Sequence, residues 1–566
     1  MNSHPYTSGR SGLVRANIRR RLAPAVFIFV ILLGVCVPMC AENADDDAVL
    51  VALKAEMERS KAKLKMENVP APYYIEYRVT QIDAFDATAV FGALRNQQRG
   101  MARFLRVVVR IGDFKQDSYY GTGQGVVDVI SIDEDVYAIR YRLWLATDRA
   151  YKAAAEALTA KQNALKQLKV DEPVDDFSPA SAVQSVQALA HLPSEDFSPW
   201  VELLEESSGQ SRTDLALEHF ESSLRFAAEN RYLINSEGTA IRDGQLHYWL
   251  SVAGTTQAPD GMLLERSRKM DATELSKLPT RDEFLRTTTN VLETLKKLRD
   301  APVVDEEYRG PVLLSNNAGA AVVEALIEPN VLGRKPQPGE NGRTSGRWSS
   351  SYKARVLPTF ITVVDDPTIS SLSGQPLFGH YQFDDEGVKA QRVAVIQQGQ
   401  LTSYLMGREP IRDFPASNGH GRASPTAGAS PSPGNLILES SEAVADQELK
   451  KKLMEMAGQR GLAYGLYVVS MGARLEPRLT YRVYVNDGHE ELVRGALFGD
   501  LDVRSLRSDL VSVGNTPAVE TRFDPIAFSI ASPALLFDEL QVKRTPASKQ
   551  ELPEYSAPPL SDAAIK

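Results

Sequence analysis

An apolar run over residues 23–37, entered through Arg15, Arg19, Arg20 and Arg21 and left through Pro38, Met39, Cys40 and Ala41, sets the first constraint on this chain. A basic stretch, an apolar core of about 15 residues and a small residue at the exit have the form of a secretory signal; a spanning helix needs roughly 20 apolar residues. Residues 1–41 are therefore expected to be a cleaved signal peptide, and the protein to be exported to the periplasm or beyond. A lipid-anchored form fits less well, because Val35 precedes Cys36 where a small residue is required. Cys36 and Cys40 are the only cysteines of the chain. The exported protein would then have neither a disulfide nor a thiolate, and burial alone must hold its fold. Intact-mass measurement of an envelope fraction should place the mature N-terminus at or near Glu42. A mature chain that retains 15–37 would overturn the export reading.

Removing 1–41 takes away five arginines and no acidic residue, so the formal net charge of −9 becomes −14. An acidic exported protein is a poor ligand for nucleic acid or for anionic membrane surfaces. With 566 residues, 43% hydrophobic and 24% charged, the composition is globular and the length exceeds what one core usually organises. The expected layout is an α+β chain with an N-terminal α/β domain over 42–300, a β-rich C-terminal domain over 301–545, and a disordered Pro- and Ser-rich tail over 546–566.

The periodicities agree with mixed architecture. Leu50, Leu53, Met57 and Leu64 recur at helical spacing within 48–65, as do Tyr151, Ala154, Leu158, Leu165 and Leu168 within 147–168. A further amphipathic helix is expected over 280–298 and another over 447–456, closed by Gly458. Strands are expected at 73–79, 104–111, 231–235, 239–241, 311–314, 360–364, 391–396, 400–405, 466–469, 481–485 and 491–494, from their β-branched and aromatic content and the turn residues between them. Residues 171–199 read as a surface excursion and 300–307 as a linker. Residues 335–353 and 418–434, rich in Gly, Ser and Pro, read as mobile loops.

Readable chemistry is sparse. The histidines outside the signal, His191, His219, His247, His380, His420 and His489, never fall two to a helix face, and no paired-cysteine spacing exists. No nucleophile elbow or phosphate cradle is present. Asp384, Asp385 and Glu386 form an acidic run before a hairpin, which reads as a solvated turn, a seat for a hard cation or a carboxylate aimed into a cleft.

Several segments of the second half occur together in a recognisable order. They are Tyr308-Arg309-Gly310-Pro311-Val312-Leu313-Leu314, then Thr362-Val363-Val364-Asp365-Asp366-Pro367, then Phe383-Asp384-Asp385-Glu386-Gly387-Val388. Asn418-Gly419-His420-Gly421-Arg422, Pro433-Gly434-Asn435-Leu436 and Gly465-Leu466-Tyr467-Val468 follow. This set resembles the TldD/PmbA family of metallopeptidases, once described as modulators of DNA gyrase, over roughly 308–513. The resemblance implies a two-domain α+β subunit. It implies that the TldD-type member carries an HExxxH helix after the Gly-Pro-Val-Leu strand and a downstream cysteine ligand for zinc. It also implies that the PmbA (TldE)-type member lacks those ligands and pairs with the first around a chamber for unfolded peptides. Here the corresponding helix reads Val323-Glu324-Ala325-Leu326-Ile327-Glu328. Glu324 keeps the general-base position, Val323 and Glu328 replace both histidines, and no cysteine remains.

The resemblance thus implies a subunit without metal or other cofactor, Glu324 and Glu328 as the candidate catalytic positions, and Asp384, Asp385, Glu386, Asn418 and His420 as candidate cleft residues. The implied partners are a metal-bearing TldD-like homologue and a peptide, with no nucleic acid and no membrane span after signal cleavage. Two alternatives stay open. One is a non-catalytic peptide-binding or scaffold protein of the envelope. The other is a hydrolase with a re-sited metal on Asp384, Asp385, Glu386, His380 or His420.

Overall fold

The computed structural model describes residues 47–167, 174–213, 216–337, 339–340, 342–523 and 526–546. The expected signal segment and all but the first residue of the expected tail lie outside them. Among the described residues no helix is long and apolar enough to cross a membrane.

The N-terminal half is built on very long antiparallel strands. Pro72–Val90 pairs with Ala93–Ile111 on one side and with Leu217–Asn235 on the other, and Leu217–Asn235 pairs with Ala240–Gln257. Val126–Val129 ends the sheet at one side; Gln184–Val186 and Leu263–Ala272 share the opposite edge of Ala240–Gln257. These strands run well beyond the expected 73–79 and 104–111. Their distal ends, such as Arg95, Asn96, Gln97, Gln98 and Arg99, are exposed and polar, and so lack the apolar alternation that marks a strand.

One face of this sheet is apolar. Ile75, Tyr77 and Val79 meet the helices Ala48–Lys63 and Val136–Lys166, while Phe85, Ala87 and Ala89 meet Ser198–Gly209 and Arg281–Asp300. Side chains alternate between faces along a strand, so Tyr74, Glu76, Arg78 and Thr80 point the other way. They are nevertheless buried, because the C-terminal half covers that second face.

The C-terminal half contributes two sheets. The first runs in the order Glu490–Val493, Pro477–Tyr484, Tyr464–Met471, Glu307–Leu314, Leu535–Arg544 and Ala496–Phe498, with Leu510–Val513 also on Leu535–Arg544. The second runs Gln400–Leu401, Val393–Gln397, Ile361–Asp365, Asn435–Ser440, Phe528–Ser532 and Ala518–Arg522. Val312 and Leu314 of one sheet and Val363, Leu436 and Ile530 of the other belong to a single core. The segment Asn316–Val331 is packed into that core through Ala318, Val322, Val323 and Ile327.

Two expected features change character. The segment 300–307 is no free linker: Val304 is buried, its N–H donates to the Arg494 carbonyl, and Arg494 Nε donates to the Ala301 carbonyl. The expected mobile loops are stitched down. In 335–353, Lys335 Nζ reaches Asp176, Arg343 pairs with Asp413, and Trp348 is buried. In 418–434, the Ser424 and Thr426 carbonyls accept from Arg78 and Arg106 of the N-terminal sheet.

Candidate functional site

The family landmarks converge, but on the interior. Asp384 caps its own turn, accepting from the N–H groups of Glu386, Val388 and Gly421. Asp385 accepts from the Ala423 N–H and lies 2.5 Å from Arg231 Nη1 and 3.4 Å from Arg422 Nε. Glu386 accepts from the Arg408 N–H at 2.6 Å. A Cβ on Gly421 would collide with the Glu386 carboxylate, which is why glycine stands after His420. His420 is fully buried between acceptors, with Asp365 Oδ1 3.0 Å from Nε2 and the Asn418 carbonyl 3.0 Å from Nδ1. Asn418 itself pins the chain by accepting from the Met406 N–H and donating to the Tyr404 carbonyl.

Asp384, Asp385 and Glu386 are respectively 0, 4 and 7% exposed, so this run is neither a solvated turn nor an open cleft wall. It is the joint between the two halves. Arg408, stacked on Phe177 and Tyr74, donates to the Ser178 carbonyl and pairs with Glu237 on the N-terminal side. The electrostatics follow from burial. Burial would raise the Asp385 carboxyl, but Arg231 and Arg422 outweigh it and hold the group at about 2. Glu386 lacks so close a cation, and burial, with the adjacent Asp384 carboxylate, pushes it well above the usual carboxylate range. His380 stands apart, with Nδ1 2.9 Å from the Pro367 carbonyl oxygen. Among the described residues no three His, Cys, Asp or Glu side chains are grouped as a metal site would require.

Glu324 and Glu328 sit elsewhere, on the helical segment after Glu307–Leu314. Ser315 caps Asn316–Val322 by accepting from the Ala318 N–H, and the helix widens into a π-turn over Val323–Ile327. The Glu328 N–H donates to the Val323 carbonyl, the five-residue closure that also matches the spacing between the two histidines of an HExxxH pattern. Val323 is fully buried in the core and offers no donor. Glu324 is held by Arg522, whose Nε and Nη2 lie 2.7–3.0 Å from its two oxygens. Burial, reinforced by Glu324 and Asp365 and opposed by Arg334, pushes Glu328 up to about 7. A zinc site needs three protein donors around an open position. One glutamate committed to a guanidinium, one half-buried glutamate raised to about 7 and a valine do not fit that ion.

Arg522 lines a groove of about 1080 Å³. One wall is Leu263–Ala272 of the N-terminal sheet; the other includes Ala518–Arg522, the last strand of the second C-terminal sheet. Among the described residues Leu263–Ala272 pairs on one side only and turns a free edge outward, whereas Ala518–Arg522 pairs with Phe528–Ser532 and its Val519 N–H already donates to Gln375 Oε1. Sequence reasoning missed this groove and the cations in it. Its one legible sign is the pair Arg266 and Arg268, two residues apart on a strand that also carries Lys269.

Comparison with known proteins agrees with the landmarks. Residues 307–544 match the PmbA/TldA metallopeptidase C-terminal domain. A metalloprotease of Archaeoglobus fulgidus is 28% identical over 133 residues, 24% of this chain and 28% of that protein. One of Methanocaldococcus jannaschii is 40% identical over 70 residues, 12% of this chain and 14% of that protein. The aligned stretches thus span under a third of the length of these relatives. The fold extends further. TldE of Thermococcus kodakarensis superposes with a TM-score of 0.56 at 11% identity, covering 87% of this chain and 99% of that one. A Thermotoga maritima protein associated by name with modulation of DNA gyrase gives 0.59 at 13% identity, with the same coverage.

Proposed function

Because residues 307–544 of this chain are a C-terminal domain of the PmbA/TldD family, we propose that it is the non-metal subunit of an exported peptidase assembly and holds an extended peptide beside a metal-bearing homologue. The carrying observation is the pair Glu324–Arg522. The residue at the general-base position is neutralised by a guanidinium at 2.7 Å, next to a valine and a half-buried glutamate at the two implied histidine positions. Peptide hydrolysis by a metal enzyme needs a Lewis acid to polarise the carbonyl and lower the pKa of water. Glu324 cannot supply that. What the chain supplies is positioning: a groove along the free edge of Leu263–Ala272, where an extended peptide can add as a further strand. Positioning by itself can contribute several kcal/mol to a reaction carried out by a partner's groups.

Elemental analysis of gently purified protein should find no stoichiometric zinc. Cleavage of an unfolded casein-derived peptide should be absent with this chain alone and appear on mixing with a homologue bearing HExxxH and the ligand cysteine. Full activity of that homologue alone, unchanged by this chain, would favour the envelope binding or scaffold protein instead. One tightly held metal per chain would favour a hydrolase with a re-sited metal.

A further inference from the structure

We propose that the groove selects peptides with acidic side chains at alternate positions, and that Arg266 and Arg268 read them. This rests on the reading of the groove as a peptide site and adds the chemical class of peptide that it takes.

Three observations converge on it. The first is backbone geometry. Leu263–Ala272 pairs with Ala240–Gln257 from Leu263↔Gln257 to Ala272↔Tyr248, and its other edge carries no strand among the described residues. A row of free N–H and C=O groups along a groove is complementary to another extended peptide main chain, and not to a nucleic acid backbone.

The second is charge. Five cations, Arg266, Arg268, Lys269, Arg478 and Arg522, line the groove of a chain whose net charge is −9. Three of them are already paired: Lys269 with Asp271, Arg478 with Glu265 and Glu476, and Arg522 with Glu324 and Glu520. Arg266 and Arg268 have no carboxylate within ion-pair distance among the described residues. Arg266 donates only to the neutral Ser470 hydroxyl, at 2.7 Å. Burial, and then the charge of Arg268, lower the Arg266 pKa. A half-buried Arg266 beside the like charge of the exposed Arg268 is held against their mutual repulsion, an arrangement that an incoming anion relieves.

The third is spacing. Arg266 and Arg268 are two residues apart on one strand, so their side chains leave the same face about 6.6 Å apart. A strand added along this edge presents its own side chains at the same interval. Two carboxylates separated by one residue therefore fall in register with the two guanidinium groups, whereas adjacent carboxylates point to opposite faces.

The test is fluorescence anisotropy with the full-length mature chain and labelled ten-residue peptides. One is built on Val-Glu-Val-Glu; the others have the same composition with the glutamates adjacent, serine in place of glutamate, or lysine in place of glutamate. The alternating acidic peptide should bind tightest, about tenfold better than the serine peptide, as expected for two partly screened charge contacts. Arg268→Gln, an exposed side chain whose loss leaves the packing intact, should weaken the acidic peptide about threefold and leave the serine peptide unchanged. Arg266→Gln should have the larger effect, and raising salt should erase the difference between peptides. Equal binding of all four peptides would overturn the acidic preference while leaving the peptide site standing. No binding of any peptide would remove the site itself. Competition by oligothymidylate of equal charge as effective as that by the acidic peptide would mean a general anion site and would overturn the peptide class.

Discussion

Asp385→Ala should lower the unfolding free energy by about 3–5 kcal/mol, the cost of breaking a buried ion pair and leaving its partner behind. Asp385 is 4% exposed and receives Arg231, Arg422 and the Ala423 N–H at one carboxylate. The alanine variant strands the Arg231 charge between the two halves of the molecule, with Asp243 as its remaining carboxylate. Urea denaturation followed by tryptophan fluorescence measures the loss. Asp83→Asn, which removes a half-exposed pair with Arg99 at 3.3 Å, is the control and should cost under about 1 kcal/mol. Equal effects of the two variants would mean that the joint contributes nothing special. The pH dependence adds a second signature. The Asp385 carboxyl is held at about 2 in the folded protein against an ordinary 3.8. Its contribution is therefore complete above about pH 4 and is lost as pH falls through 2, the direction of a depressed acid. Asp385→Asn should lack that acid limb.

Glu328 should act with the opposite sign. Burial raises it from 4.5 to about 7, so between those values the folded chain holds a proton that the unfolded chain has released. Stability then falls as pH rises from about 4.5 to 7 and stays lower above. The full displacement corresponds to about 3 kcal/mol, and partial exposure reduces this to about 2. Glu328→Gln should match the parent at pH 4 and exceed it by about 2 kcal/mol at pH 8, measured by the same urea titration. Identical curves at both pH values would show that Glu328 ionises without cost. Glu386→Gln should shift stability in the same direction, because burial and Asp384 also favour the proton there.

These two acids show where sequence reading stops. Both were visible as candidate positions, Glu328 through the replaced histidine and Glu386 through the acidic run. Neither their burial nor the charges facing them could be read, because the fold sets both: the Arg408 N–H that meets Glu386 comes from 22 residues on, and the neighbouring Asp385 meets Arg231 from 154 residues back. Some helices were legible from periodicity: Asp446–Gln459 and Arg281–Asp300 lie within a few residues of expectation, but Val136–Lys166 begins well before the expected 147 and Ser198–Gly209 was not expected. The long strands were legible only in part: the exposed stretch 95–99 is polar on both faces and has no period to detect, whereas the alternation of Phe220, Leu224 and Phe226 and of Tyr248, Leu250 and Val252 was present and was missed.

By itself the sequence determined what chemistry the chain can bring. It shows no cysteine outside 1–41 and it carries the ordered landmarks of the family resemblance, which puts Val323 and Glu328 where that resemblance implies histidines. These are properties of side-chain identity and need no third dimension. Only the tertiary structure decided what those side chains do. It turned an acidic run from a turn into a joint, tied Glu324 to Arg522, and left Arg266 and Arg268, among the described residues, without a carboxylate partner beside a strand edge that pairs with no other strand. The reason is physical: whether a charge is paired, buried or free depends on which distant residue the fold places within a few ångströms of it, and local pattern carries no record of that distance.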